Sequence, residues 1–220
     1  MTYTLLVNLK AYQSATDTSA QSMLETLAEA TMPSTVSLIV AVNPVDLRLA
    51  STVDVEVFAE HVDPVTYGSH TGHVLPASAD RLGASGTLIN HSECQRSLET
   101  IDATIDAAED NNLTTMVCAP DPETIDAVAA MQPSYVAVEP PELIGGNTSV
   151  SAAQPEIIKA SVANASNHET PLLCGAGVKD TEDVKQAVEL GAQGILVASG
   201  VVKAADPKAA VERLAQGFTL

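Results

Sequence analysis

The strongest constraint on the fold of this chain is a regular alternation between two kinds of segment. Short runs of β-branched and other apolar residues alternate with longer Ala- and Glu-rich segments about eight times along the sequence. The predicted strands are residues 4–10, 36–42, 55–59, 87–90, 114–118, 134–139, 172–175 and 194–198. The predicted helices are residues 19–30, 44–50, 77–82, 96–111, 122–131, 155–167, 181–190 and 207–216. Such alternation is typical of a parallel sheet with helical crossovers.

Eight units of this kind predict an α/β fold in which the sheet closes into a (β/α)8 barrel. The 220 residues give about 27 per unit, which is compact beside the roughly 250 residues usual in this fold. No linker or charge block divides the chain, so we expect a single domain over residues 1–220. The main alternative is an open doubly wound sheet, but its usual G-x-G-x-x-G is missing after the first strand, where residues 8–12 contain no glycine.

Two local patterns concern the connections between the predicted strands. Asp121, Asp180 and Asp206 each precede a predicted helix and are residues of N-cap type. The third unit is the least regular, because the long segment 60–76 contains Gly and His and leaves room for only a short helix.

The chain is strongly acidic, with 28 Asp and Glu against 10 Lys and Arg and a formal net charge of −18. Nucleic acids and anionic membranes are poor partners for such a surface. Two interpretations stay open, an ordinary acidic cytosolic protein or one adapted to molar salt. At 1 M salt a Debye length of about 3 Å screens the repulsion between carboxylates.

The sequence also predicts a cytoplasmic protein with reduced cysteines. No basic segment precedes the first apolar run, and no apolar stretch approaches the length of a bilayer span. Cys94, Cys118 and Cys174 are odd in number, widely spaced and without a C-x-x-C pair, which favours free thiols.

A glutamate stands at the tip of the sixth predicted strand. Glu139 is followed by two prolines, the pair Leu143-Ile144 and the glycines Gly145 and Gly146. The active sites of (β/α)8 barrels lie at the carboxyl ends of the strands. Prolines fix the start of this loop and glycines free its other end, so its apolar tip would move as a unit. The pattern predicts a base beneath a lid that excludes water.

Polar residues also end the first strand. Asn8 and Lys10 are two residues apart, so the strand period places them on one face that would open into the barrel mouth. A lone Lys at a strand end is often only a solvated flank. A buried Asn, however, needs hydrogen-bond partners, and Lys10 is one of the few donors nearby.

The fourth strand ends at Asn90 and is followed by His91-Ser92-Glu93. His91 lies where the strand meets the predicted start of a helix, and the positive end of that helix would keep its imidazole neutral. The alternative is a hydrogen-bonded structural histidine. Glu93 would either orient Lys10 or cap the first turn of the helix.

Glycine-bearing loops follow the last two strands. Gly175 ends strand seven and Gly177 follows it, while Ser199 and Gly200 follow strand eight at the start of a short helix. Each motif alone is ordinary turn chemistry. As a pair after strands seven and eight they form the usual phosphate site of these barrels, in which backbone N–H groups bind the anion. We therefore expect a phosphorylated small-molecule substrate.

The histidines of the third unit do not predict a metal site. His70 and His73 are spaced as H-x-x-H, with His61 and Asp63 nearby, but this spacing is not a strong zinc signature and lacks a fourth ligand. We interpret them as loop or interface structure. The predicted acid–base groups require neither a metal nor a cofactor.

Taken in order, these motifs resemble the triosephosphate isomerase family in its short archaeal type, over the whole chain. They are Asn8-x-Lys10, His61-Val62-Asp63-Pro64, Gly68-Ser69-His70-Thr71-Gly72-His73, Asn90-His91-Ser92-Glu93, Glu139-Pro140-Pro141-Glu142-Leu143-Ile144-Gly145, Cys174-Gly175-Ala176-Gly177 and Ala198-Ser199-Gly200. The acidic surface resembles the salt-adapted, halophilic members. The resemblance implies a TIM barrel that interconverts dihydroxyacetone phosphate and D-glyceraldehyde 3-phosphate through an enediolate, without a cofactor.

The resemblance also implies the roles of individual residues. Glu139 would move the proton between two carbons, His91 would act as a neutral electrophile, and Lys10 would stabilise the anionic oxygens and the phosphate. We expect a catalytic set of Asn8, Lys10, His91, Glu93 and Glu139, and substrate binding by Asn8, Lys10, Gly145, Gly175, Ser199 and Gly200. The family commonly reads Gly-Thr-Gly after the lid isoleucine, whereas this chain has Gly145-Gly146-Asn147. The extra glycine should favour an open lid and raise KM.

Two other functions stay open at this point. One is a different phosphosugar barrel enzyme, either an epimerase or an aldolase with a Schiff base on Lys10. Neither accounts for a lid after Glu139. The second is a phosphate-ligand-binding protein without turnover, which the combination of Asn8, Lys10, His91 and Glu139 disfavours. The resemblance implies a homo-oligomer, with a tetramer favoured over a dimer.

Overall fold

The computed structural model describes residues 2–144 and 149–219. Eight strands form a closed barrel in chain order, and every neighbouring pair is parallel, including β8 with β1. They are β1 (Tyr3–Asn8), β2 (Val36–Val42), β3 (Glu56–Ala59), β4 (Gly86–Ile89), β5 (Thr114–Ala119), β6 (Tyr135–Val138), β7 (Leu172–Cys174) and β8 (Gly194–Val197). The predicted (β/α)8 barrel is confirmed, and the open doubly wound sheet is excluded.

Helices connect the strands around the outside of the barrel. Those in the described ranges are α1 (Thr18–Ala28), α2 (Pro76–Arg81), α3 (Leu98–Glu109), α4 (Pro122–Ala129), α5 (Val150–Ala153), α6 (Pro155–Ser166), α7 (Thr181–Glu189), α8 (Ser199–Val202) and α9 (Pro207–Gln216). Short 3₁₀ helices cover Gln13–Ala15, Pro44–Thr52 and Pro141–Leu143. The predicted N-caps are confirmed, since Asp121, Asp180 and Asp206 accept hydrogen bonds from backbone N–H groups of their own helices.

One buried cluster fills the barrel interior and forms the floor beneath the strand ends. It comprises Leu6, Ile39, Ala41, Phe58, Leu88, Met116, Cys118, Ala137, Leu173 and Leu196. Asn8 lies two residues after Leu6 and therefore continues the inward face of β1 to the mouth of the barrel. Leu9 belongs to the outer cluster between sheet and helices and therefore faces away from the barrel interior.

Two predicted elements differ from the structure in a way that matters for the site. The first strand ends at Asn8 rather than residue 10, because Lys10 has a left-handed backbone with φ of 51°. The predicted α-helix over residues 44–50 is a 3₁₀ helix, Pro44–Thr52, which Asn43 caps by accepting a hydrogen bond from the Val45 N–H.

The long third connection behaves as its composition suggested. After β3 the chain forms an irregular loop and then only the six-residue helix α2. No helix in the described ranges combines the length and apolarity that crossing a bilayer requires.

Candidate active site

Side chains from three strand ends meet at the mouth of the barrel. Asn8 ends β1, His91 follows β4, and Glu139 follows β6, and all three are at least nine-tenths buried. Lys10 reaches the same place from the loop after β1, since it lines one cleft with Glu139 and an adjoining cleft with His91 and Asn8. The structure thus brings together residues that are far apart in the sequence.

Glu139 is a buried carboxyl with few compensating contacts. Only 5% of its surface is exposed, and burial raises its pKa from 4.5 to about 7. The Lys10 ammonium and the thiol of Cys118, which donates a hydrogen bond to the carboxylate, act in the opposite direction, while Glu93 adds to the rise. A carboxylate with a pKa near neutrality is a stronger base than an exposed one and is still largely ionised above pH 7.

His91 is held as a neutral imidazole in one tautomer. Its pKa is lowered from 6.5 to about 4, first by burial and then by the nearby Lys10 ammonium, while Glu93 acts in the opposite direction. The backbone N–H of Glu93 donates to His91 Nδ1 at 3.2 Å, so Nδ1 is an acceptor and the proton of the neutral ring lies on Nε2. His91 is therefore a hydrogen-bond donor at Nε2.

The expected cause of this neutrality was different. The sequence suggested that a helix beginning beside His91 would supply positive charge, but α3 begins only at Leu98, where Ser97 caps it. The helix is too far along the chain, because helix-end effects are confined to the first turn. The burial of His91 and the charge of Lys10 keep its imidazole neutral instead.

The proton-bearing nitrogen of His91 faces the carboxylate of Glu139. Nε2 lies 3.3 Å from Glu139 Oε2. Both atoms are buried, and within the described residues neither makes a hydrogen bond of acceptable geometry. Buried polar atoms are nearly always satisfied in proteins, so a pair left unsatisfied at one point indicates where a ligand group would bind.

Lys10 and Glu93 form an ion pair at the rim of the site. Lys10 Nζ lies 2.9 Å from Glu93 Oε1, and Glu93 Oε2 lies 3.6 Å from His91 Nδ1. Of the two roles considered for Glu93, the structure has the one that orients Lys10, since Ser97 caps α3. Asn8 contributes through its Oδ1, which accepts the backbone N–H of Lys10 at 3.0 Å, rather than through contact with the ammonium.

A cleft opens beside Glu139 and Lys10. Its far wall is built from loop 176–179 after β7 and from Ser199 and Gly200 after β8. Short loops of this kind expose backbone N–H groups, which bind phosphate oxygens without help from Arg. The two loops predicted to bind phosphate thus share one cavity with the two charged site residues.

Comparison with known proteins agrees with this arrangement. The family model described as "Triosephosphate isomerase" matches residues 3–216. The chain belongs to the triosephosphate isomerase family. Relatives named triosephosphate isomerase include those of Methanothermus fervidus, 41% identical over 213 residues, and Methanosarcina acetivorans, 43% identical over 213 residues; each match covers 96% of both chains. The protein of Methanocaldococcus jannaschii is 41% identical over 203 residues, 91% of this chain and 93% of its own.

Of the residues matched to phosphate binding in the family, Gly175 does not line that cavity, and Gly145 is not among the described residues. Gly175 lies against the base, since a Cβ at this position would be 2.8 Å from Glu139 Oε1 and 3.0 Å from the carbonyl oxygen of Leu196. Its place in the structure is beneath Glu139. Gly145 and the neighbouring Gly146-Asn147, the predicted distal hinge of the lid, lie outside the described residues.

Three residues near the site had no predicted role in it. Cys118 contacts Glu139, and Asn90, with φ of 61°, donates from Nδ2 to the Cys118 carbonyl at 2.9 Å and accepts the Arg96 N–H at 2.8 Å. Glu60, after β3, has a pKa that burial raises to about 7 and lines the adjoining cleft with Lys10. Cys118 lies two residues after Met116 in β5, so the alternation of side chains along the strand could have predicted that both point into the barrel. Glu60 lies in the irregular segment after the third strand, where no such alternation applies.

The histidines of the third unit pair with neighbours in their own segment, and the three cysteines are free thiols. His61 Nε2 is 2.9 Å from Asp63 Oδ1, and the rings of His70 and His73 meet edge to face with centroids 6.0 Å apart. Cys118 and Cys174 are buried free thiols, while Cys94 is exposed at the rim of the adjoining cleft.

Proposed function

We propose that this protein interconverts dihydroxyacetone phosphate and D-glyceraldehyde 3-phosphate, with Glu139 as the base, His91 as the electrophile and Lys10 as the stabilising cation. One observation carries the assignment of these roles: Glu139 Oε2 and His91 Nε2 are buried, lack hydrogen bonds within the described residues, and face each other at 3.3 Å. Membership of the family supports the reaction. An epimerase, an aldolase or a non-catalytic binding protein has no comparable support.

The reaction begins with proton abstraction by Glu139. Its carboxylate takes a proton from the carbon next to the carbonyl group, the C–H electron pair forms the C=C bond of an enediolate, and the carbonyl oxygen gains the negative charge. Glu139 then returns the proton to the neighbouring carbon. A pKa of about 7 suits both directions, because the same group must accept and release the proton near neutral pH.

His91 stabilises the oxygens of the enediolate. Its Nε2–H donates to whichever oxygen carries the charge, and its low pKa keeps the ring neutral throughout. A fixed donor in a buried site needs no reorganisation as the charge develops, which is where catalysis gains most.

Lys10 supplies the balancing positive charge. Glu93 holds its ammonium 2.9 Å away at the rim, and the same Lys10 lines the cleft with Ser199 and Gly200. It therefore contacts both the enediolate oxygens and the phosphate. Backbone N–H groups of loop 176–179 and of residues 199–200 complete the phosphate site.

The test is a coupled isomerase assay on the wild-type protein, on Glu139→Gln and on the surface control Glu123→Gln, in buffer with molar KCl. Glu139→Gln keeps the size of the side chain but removes the base, so its kcat should fall by at least ~10²-fold. Glu123, exposed in the first turn of α4, should be replaceable without loss. Equal rates for wild type and Glu139→Gln would refute the mechanism.

The surroundings in which the protein works are part of the same proposal. A net charge of −18 leaves carboxylates far in excess of cations, which supports a salt-adapted cytoplasmic enzyme. Relatives in methanogenic archaea support the short archaeal type and with it a homo-oligomer, a tetramer before a dimer. Light scattering in molar KCl measures the assembly directly, and a monomeric mass would count against it.

A further inference from the structure

Asp183, in the first turn of α7, joins three separate pieces of the chain. Its Oδ1 accepts a short hydrogen bond from Ser149 Oγ, and its Oδ2 accepts the backbone N–H of Lys179 at 2.9 Å. Its own carbonyl oxygen accepts from Ser151 Oγ at 3.1 Å. Ser149 and Ser151 are 3% and 4% exposed and lie 3.1 Å apart through their hydroxyls, so the serine half of the network is shielded from water.

This network holds both ends of loop 176–179. At one end the Val150 N–H donates to the Ala176 carbonyl at 3.1 Å, and at the other the Lys179 N–H is held by Asp183. Ser149 and Ser151, which flank Val150, are themselves bonded to Asp183. The loop is therefore clamped from behind by the first turns of α5 and α7.

The same loop forms one wall of the cleft in front of Glu139. It packs directly on the loop after β8, since a Cβ on Gly200 would lie only 3.1 Å from the Val178 carbonyl oxygen. A shift of loop 176–179 would thus move the neighbouring wall as well, because there is no free space between them.

Helix stability alone does not account for a carboxylate at position 183. Asp180 already caps α7, accepting the Asp183 N–H at 3.0 Å. A negative charge behind a site for phosphate also opposes binding through space. What Asp183 adds is a pair of acceptors that fix the loop.

We propose that Asp183, together with Ser149 and Ser151, is a positioning residue for phosphate binding: it sets the backbone of loop 176–179 and makes no contact with substrate. This inference rests on the proposed function, because it assumes that the loop binds the phosphate of the triose. It predicts an effect on substrate affinity rather than on the proton transfer at Glu139.

The experiment compares Asp183→Ala with the matched control Asp180→Asn. Both changes remove one negative charge from the start of α7, but Asn at position 180 still caps the helix and leaves the clamp intact. Asp183→Ala should raise KM about tenfold with kcat changed less than about threefold, the lower end of the effect of removing groups that orient metal ligands. Competitive inhibition by inorganic phosphate should weaken by the same factor, and Asp180→Asn should match wild type.

The conservative variant Asp183→Asn distinguishes the positioning of loop 176–179 from an effect of the negative charge. In Asp183→Asn the amide oxygen still accepts the Lys179 N–H and the amide nitrogen donates to Ser149 Oγ, so KM should return most of the way to the wild-type value. A charge effect predicts the opposite order, with KM lowered in both Asp183→Ala and Asp183→Asn. That order, or a KM for Asp183→Ala equal to that of wild type, would overturn the inference.

Two further measurements keep the outcome decisive. If Asp183→Ala does not fold, Ser149→Ala and Ser151→Ala each remove one of the two serine hydrogen bonds to Asp183, and an unchanged KM in both would overturn the proposal. If the wild type itself has no isomerase activity, the proposed function fails. Calorimetric titration of wild type and Asp183→Ala with inorganic phosphate then still tests the clamp, and equal affinities would reject it.

Discussion

Gly175 lies so close to Glu139 that a methyl group on its Cα would stand 2.8 Å from the carboxylate oxygen Oε1. We predict that Gly175→Ala displaces the base and lowers kcat by roughly 10²-fold, since misplacement by about 1 Å has costs of that order. A role in phosphate binding alone predicts a raised KM with kcat preserved. Steady-state kinetics in both directions distinguish the two, and thermal denaturation checks that the variant is folded.

Replacing Glu93 should move the pH profile as well as the rate. Glu93 pairs with Lys10 and adds to the rise in the pKa of Glu139. In wild type, kcat/KM should increase with pH as Glu139 ionises, with a midpoint near 7. Glu93→Gln should lower kcat/KM about tenfold by releasing Lys10, and should shift that midpoint to lower pH. A midpoint that moves up or stays fixed would contradict the coupling.

Glu139→Gln should stabilise the protein, and more so in alkaline buffer. The pKa of Glu139 is about 7 in the folded state against 4.5 ordinarily, so the folded protein binds the proton more tightly. Its contribution to the free energy of unfolding is therefore present below about pH 4.5 and is lost as the pH rises to about 7. Gln has no such loss. Differential scanning calorimetry should show a larger gain in Tm at pH 8 than at pH 5, and a gain independent of pH would count against a buried titrating carboxyl.

Dialysis from molar to millimolar KCl should destabilise the protein. The net charge of −18 produces repulsion that salt screens over a few ångströms. We expect Tm to fall steadily on dilution, and kcat/KM to fall with it if the fold opens. Sucrose at matched osmolality is the control, since it is neutral and does not screen charge. Stability unchanged in millimolar KCl would reject salt adaptation.

The barrel and most of its site residues could be predicted because each rests on a local signal. Short β-branched apolar runs located the strands, and polar residues at their carboxyl ends, such as Asn8 and Glu139, fall at the barrel mouth by geometry. Neutral His91 was expected for a different reason. Its burial depends on packing between distant strands, which no local pattern records, and the start of α3 was placed two residues too early.

The roles of Gly175 and Asp183 were not predicted, because they depend on contacts between segments that are distant in the sequence. The nearness of Gly175 to Glu139 follows from how β6 and β7 are aligned, and the bonds of Asp183 join residues 32 to 34 positions apart. Glycine after a strand and Asp in the first turn of a helix both have common local explanations. Because a local explanation is available for each residue, the sequence gives no reason to expect a second role, which becomes visible only from its contacts in the folded protein.

The left-handed backbone of Lys10, with φ of 51°, has a consequence for engineering. A non-glycine residue in this region costs of order 1 kcal/mol, and glycine would remove most of that strain. A library of variants selected only for heat resistance should therefore enrich glycine at position 10 and discard the ammonium. Selection for thermal stability would favour glycine at position 10, whereas selection for turnover would retain lysine.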